Sequence, residues 1–213
     1  MYFRQLPHAH SGAYCYLLAD LCAQEAAVID PDPEQVDLLL AILQERDLRL
    51  TYVLRTHQHA GAAPCGALCE YTGATHIAGA AHADARERTA THGDTLVFGC
   101  EVIRVLSTPG HTPDALSYLW RDRLFCGDAL HPDGCPAPVD DTDPGQWYDS
   151  VTQRLFLLPD ETLVFPGHAR AGRTVSTIAE ERRRNPAFGG VTREGFINRS
   201  LDQPQGEGHV TGH

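Results

Sequence analysis

The sequence predicts an α/β protein built as a four-layer αββα sandwich. Three observations carry this expectation. Strand-like segments fall into two sheet-forming halves, helix-like segments flank each half, and metal-capable residues recur just past the ends of strand-like runs. The last observation implies that the strand ends converge on one edge of the sandwich.

The first third opens with strand-like Tyr2 to Leu6, Tyr14 to Leu18 and Ala26 to Ile29. Asp30-Pro-Asp-Pro-Glu34 is turn and helix-start chemistry, because carboxylates favour a helix N-terminus and proline fits its first turn. Val36 to Arg46 then reads as a helix, Leu50 to Arg55 as a strand, and 63–72 as a second helix with Ala63/Ala67 and Cys65/Cys69 at helical spacing. The middle third is short strands between turns: His76 to Ala78, Thr95 to Phe98, Val102 to Leu106, Leu116 to Leu119 and Arg123 to Cys126. Their spacing suggests packed antiparallel sheets. Gly127 to Pro144 reads as loop, and Asp143-Pro144 as a helix cap with proline in the first turn. Gln146 to Leu157 follows as a helix, Thr162 to Phe165 as a last strand and Thr174 to Arg184 as an exposed helix. One domain over 1–201 is expected, with 202–213 as a flexible tail.

Composition is that of an ordinary soluble globular chain, long enough for one well-buried core. The net charge is −11, and all 17 basic residues are arginine. An acidic chain without a basic run argues against nucleic-acid or anionic-membrane binding. Leu38 to Leu43, like the other apolar runs, is too short to span a bilayer. Met1 to Pro7 lacks the apolar core of a secretory signal, and seven cysteines without zinc-ribbon spacing read as reduced thiols. A cytoplasmic location is expected.

The chemistry gathers in four islands. Thr56-His57-Gln58-His59 follows the strand-like run 50–55, and residues two apart in extended backbone face one side, so one metal can meet both imidazoles. Thr108-Pro-Gly-His111-Thr, Phe125-Cys-Gly-Asp128-Ala and Phe165-Pro-Gly-His168 each place a metal-capable residue after a turn. Two histidines and a carboxylate on one face, with open positions opposite, describe a mononuclear non-haem iron centre, and with water they suit catalytic zinc equally.

In this order the motifs resemble the metallo-β-lactamase superfamily, whose pattern is Thr-His-x-His-x-Asp-His, Pro-Gly-His-Thr, Gly-Asp and a final Pro-Gly-His. The resemblance is nearest to the persulfide dioxygenases, an iron-using branch related to the glyoxalase-type hydroxyacylglutathione hydrolases. Val28 to Pro31, Leu124 to Leu130, Gly134-Cys135, Tyr148 to Val151, Thr174 to Arg182 and Asn185-Pro186 also match it. It implies an αββα fold of the metallo-β-lactamase type and one Fe(II) per chain on His57, His111 and Asp128, zinc being the alternative. His59 becomes a neighbour or extra ligand and His168 a residue beside the substrate. The implied reaction takes glutathione persulfide, or a related small persulfide, and dioxygen to sulfite and thiol. A homodimer is a further implication.

The chain departs from the pattern in ways that matter. Gly61 and Ala62 stand where the family has the Asp-His pair that holds a second metal in the hydrolases. This ranks a one-metal dioxygenase above a mononuclear zinc thioester hydrolase. Asp114 replaces a glycine, Pro136 to Pro138 replace an Arg-Thr-Asp segment, and Ala169-Arg170 replace Asp-Tyr. These changes keep a third reading open, a catalytically impaired metal- or thiol-binding relative. Arg170 and Arg173 offer donors for a carboxylate or sulfur oxyanion, and the thiols of Cys135 and Cys126 lie close in sequence to Asp128. The other histidines are given no role, and among them His131, three residues after Asp128, is the one further site candidate.

Overall fold

Alternation along single strands sorts the apolar side chains into three layers. On the second strand Tyr16 and Leu18 face one core, whereas Cys15, Leu17 and Ala19 face another. Phe125 and its neighbours Leu124 and Cys126 divide in the same way between the shared core and a third. Two sheets with a common core and a helical layer outside each are the αββα sandwich expected from sequence. The computed structural model describes residues 1–58, 66–83, 87–132, 134–168 and 172–202.

The first sheet comprises β1 (Tyr2–Pro7), β2 (Tyr14–Asp20), β3 (Glu25–Ile29), β4 (Arg49–Leu54), β5 (Thr75–Gly79) and β6 (Arg88–Ala90), in that order across the sheet. Its first three strands are antiparallel, and β3 to β6 run parallel. Helices α1 (Val36–Glu45) and α2 (Gly66–Thr72) make the parallel crossovers and cover the outer face. The second sheet has β7 (Thr95–Phe98), β8 (Glu101–Ser107), β9 (Leu116–Trp120), β10 (Arg123–Gly127), β11 (Leu163–Pro166) and β12 (Ser176–Thr177), with only β10 and β11 parallel. Helices α3 (Pro144–Gln153), α4 (Ile178–Arg184) and α5 (Arg193–Asp202) pack on it. Full burial of an aromatic such as Trp120 or Phe125 contributes about 1.5–3 kcal/mol.

The structure corrects the reading of the middle third as wholly antiparallel. β5 pairs parallel with β4, through Tyr52↔Thr75 to Leu54↔Ile77, because α2 returns the chain to the same end of the sheet. The unforeseen β6 adds another parallel edge. The expected helix from 174 to 184 starts four residues later. Ser176 and Thr177 pair with β11, and the Thr177 hydroxyl accepts from Glu180 N at 3.2 Å as the helix cap. Nor is that helix exposed, since Ile178 and Glu181 are buried. The helix begun by Asp143 and Pro144 ends at Gln153, and Leu155–Leu157 form a 3-10 turn. α5 was not foreseen. Its one buried aromatic, Phe196, stacks on Phe188 at 4.7 Å and meets Trp147 edge-on at 5.7 Å.

Candidate metal centre

β4 stops at Leu54, and the next two residues are tied across the sandwich. Tyr118 on β9 donates its hydroxyl to Arg55 O at 2.7 Å, and Leu116 N donates to Thr56 O at 2.6 Å. His57 is thereby delivered from the first sheet to the loops of the second. His111 follows β8, Asp128 follows β10 and His168 follows β11. The last is secured by a bridge between Ala13 and His168 and by Tyr14 N donating to Gly167 O at 2.8 Å.

Each predicted ligand is oriented by something outside the triad. Thr56 donates its hydroxyl to Asp30 Oδ2 at 2.7 Å, so its oxygen lone pair accepts from His57 Nδ1 at 3.0 Å. This puts the ring proton on Nδ1 and leaves Nε2 basic, the form a metal ligand needs. His111 is buried with its ring 5.1 Å from that of Trp147, and Thr142 donates to its carbonyl at 2.9 Å. Trp147 also holds the loop after Asp128, its indole N–H donating to Ala129 O at 2.8 Å.

Asp128 is the centre of charge. Its Oδ2 lies 3.6 Å from His57 Nε2 and 3.8 Å from His111 Nε2. These gaps are too long for direct hydrogen bonds. They approach the spacing of roughly 3–3.5 Å expected between ligand atoms about 2.1 Å from a shared cation. One ligand atom from each of the three residues lies within 4.8 Å of the others. Burial acts to raise the Asp128 carboxyl, yet His131 and His57, together with hydrogen bonds from His131 and His168, hold it well below the usual carboxylate range. The donor set is two imidazoles and an ionised carboxylate, which suits divalent iron or zinc.

Two glycines make room for this arrangement. Gly127 has φ +52°, and a Cβ there would stand 2.4 Å from Thr56 Oγ1 and 3.3 Å from His57 Nδ1. A Cβ on Gly167 would lie 2.6 Å from Asp128 Oδ1. The Gly-Asp and Pro-Gly-His turns therefore let two chain segments close on the carboxylate.

The structure brings together His57, His111, Asp128 and His168, and adds His131, whose Nε2 is 3.0 Å from Asp128 Oδ1. Arg173 is ion-paired with Glu180 at 2.8 Å. Cys135 packs against the outer core of the second sheet, and Cys126 is buried in that core. His59, Gly61, Ala62 and Arg170 lie outside the described residues. The sequence reading gave no role to Asp30, Thr56, Trp147 or Asn185. Thr56 directly precedes His57, which is a usable signal, whereas Asp30 is 26 positions away and joins the site only through the β3–β4 pairing.

Comparison with known proteins agrees with the geometry. The family model of the metallo-beta-lactamase superfamily matches residues 66–168. The human mitochondrial persulfide dioxygenase ETHE1 is 32% identical over 95% of this chain and 83% of its own. A hydroxyacylglutathione hydrolase of Rhodospirillum rubrum is 35% identical over 74% of this chain and 62% of its own. The crystal structure of ETHE1 from Myxococcus xanthus superposes with a TM-score of 0.88 and 46% identity, covering 96% of this chain and 92% of that one. With the two-sheet fold and the converging His57, His111 and Asp128, these likenesses show that the chain belongs to the metallo-beta-lactamase superfamily, within its persulfide dioxygenase branch.

Proposed function

We propose that the protein is a mononuclear iron-dependent persulfide dioxygenase, with His57, His111 and Asp128 as the iron ligands. The observation that carries this reading is the three-donor set itself, two oriented imidazoles and one ionised carboxylate, in a chain similar to persulfide dioxygenases. The reaction converts a persulfide, dioxygen and water into a thiol and sulfite. The terminal sulfur is oxidised, the S–S bond breaks and dioxygen is the electron acceptor. Ferrous iron, when bound, supplies the one-electron chemistry by which dioxygen reacts with a closed-shell persulfide.

The chain's own residues do the rest. Asp30 and Thr56 keep His57 in the basic Nε2 form, and Trp147 walls the far side of His111. His168 donates from Nδ1 to Asp128 at 2.7 Å, while its side chain is 35% exposed at the edge of the cluster, where it can meet the substrate. His59, Arg170 and Cys135 are proposed as the neighbouring substrate contacts. Arg173 joins them by giving up its ion pair with Glu180. Glutathione persulfide is the proposed substrate. No helix among the described residues is long and apolar enough to cross a membrane. A cytoplasmic location for the activity is part of this proposal.

The test is oxygen uptake by anaerobically iron-loaded protein on addition of glutathione persulfide, with sulfite measured as product. Uptake matched by sulfite, and lost in His111→Ala protein that remains folded, is the expected result. Zinc-supported turnover of a glutathione thioester without oxygen would instead establish the hydrolase reading.

A further inference from the structure

Asp128 gives its two oxygens to different partners. Oδ2 faces His57 and His111, whereas Oδ1 lies 3.0 Å from His131 Nε2 and 2.7 Å from His168 Nδ1. The two histidines on Oδ1 differ in setting. His168 sits at the partly exposed edge, but His131 is only 1% exposed. Its ring Nδ1 is buried with no hydrogen-bond partner among the described residues. The ring proton therefore belongs on Nε2, where Asp128 accepts it. A proton on Nδ1 would leave a buried donor unmet and turn an imidazole lone pair toward a carboxylate.

The backbone of His131 is fixed as firmly as its ring. Asn185, at the end of α4, donates from Nδ2 to His131 O at 2.8 Å, and Gly134 N donates to the same oxygen at 3.1 Å. Asn185 is itself buried and bonded to Glu181 Oε2 at 2.6 Å. A continuous chain thus runs from α4 through Asn185 and His131 to Asp128.

We propose that His131 is a positioning residue for the metal site. Its buried Nε2–H shares Oδ1 with the partly exposed His168 Nδ1–H, and together they leave Asp128 to offer Oδ2 beside His57 and His111. The proposal rests on the reading of those three residues as the ligands. A carboxylate with both oxygens free can turn to bind through both and take up a position that the reactants need. A donor on Oδ1 prevents that turn and draws negative charge from the ligating oxygen.

Cobalt(II) is the probe, because its visible absorption reports coordination number and ligand field without turnover. Wild-type protein, His131→Leu and His131→Gln are titrated with cobalt in competition with a chelator. The leucine variant removes the buried one of the two donors and leaves Oδ1 to His168 alone, while the glutamine amide restores an N–H near the position of Nε2. The expected result is an affinity loss of about ten- to a hundredfold with a shifted visible band in His131→Leu, and wild-type behaviour in His131→Gln. Should the leucine variant fail to fold, His131→Asn, whose shorter amide stops short of Oδ1, must show the same loss. Cobalt binding of wild-type strength and spectrum in a folded variant lacking the donor overturns the proposal. His111→Ala is the separate control. If it binds cobalt as the wild type does, the ligand assignment itself fails, and this inference with it.

Discussion

Thr56 gives both its backbone amide and its hydroxyl to the carboxylate of Asp30, each at 2.7 Å. That double donation fixes the hydroxyl proton, so the remaining Thr56 lone pair sets the tautomer of His57. Thr56→Val keeps the shape and removes this control. Its metal affinity, measured by chelator competition, should fall about ten- to a hundredfold, as when other outer partners of ligating histidines are lost. An unchanged affinity would mean that His57 is oriented by other contacts.

Asp30 also gives the fold a pH dependence. Burial raises its carboxyl from 3.8 to about 6, despite the two bonds from Thr56. Between those values the folded chain keeps a proton that the unfolded chain releases. Stability from this group is therefore present below the unfolded value, falls as pH rises through about 6 and stays lost above it. The loss is on the order of 3 kcal/mol. Urea midpoints of chelated protein from pH 4 to 7 should show this decline in the wild type and a flatter profile in Asp30→Asn.

Trp147 couples the second imidazole to the carboxylate loop, facing His111 with its ring and holding Ala129 O with its N–H. Trp147→Phe retains most of the apolar contact and leaves that buried carbonyl unmet, at a cost of about 1–3 kcal/mol. For a chain of this size each kilocalorie lowers the melting temperature by roughly 2–4 °C. Calorimetry checks the shift, and metal content should fall with it because Asp128 loses a fixed loop.

Cys126 reads differently in the structure from its place in the sequence. Two residues before Asp128, it invites a role as a sulfur acceptor. Yet it is buried, its thiol donates to Leu130 O at 3.1 Å, and burial pushes its ionisation far above the ordinary thiol range. Iodoacetamide should label exposed Cys22 and Cys100 in folded protein and spare Cys126, as peptide mass mapping can show. Cys126→Ala should retain persulfide-dependent oxygen uptake. Loss of uptake in a folded variant would restore the thiol to the mechanism.

Elements that carry their own local signal were legible in the sequence. Apolar runs ending in Pro-Gly-His or Gly-Asp announced both the strands and the residues at their tips, and Asp143-Pro144 announced α3. Pairing direction was not legible, because short apolar runs look alike in parallel and antiparallel sheets. Thr174 to Arg184 has helical composition, yet an open edge on β11 captured Ser176 and Thr177 as strand. α5 carries too little apolar periodicity to stand out, and one aromatic side chain anchors it. Asp30 and Asn185 stayed hidden for another reason. Their partners are 26 and 54 positions away, so their roles exist only once the sheets are assembled.

His57 comes from the first sheet, whereas His111 and Asp128 come from the second. An ion held by all three is thus a cross-link through the open edge of the sandwich, joining two layers that otherwise meet through apolar side chains and hydrogen bonds such as those from Tyr118 to Arg55 O and from Cys100 N to Asp20. Because such an ion binds only the assembled sheets, occupancy at a hundred times the dissociation constant adds about 2.7 kcal/mol to the fold. Chelation should then raise amide exchange first along the tips of β4, β8 and β10, and leave the outer helices comparatively protected.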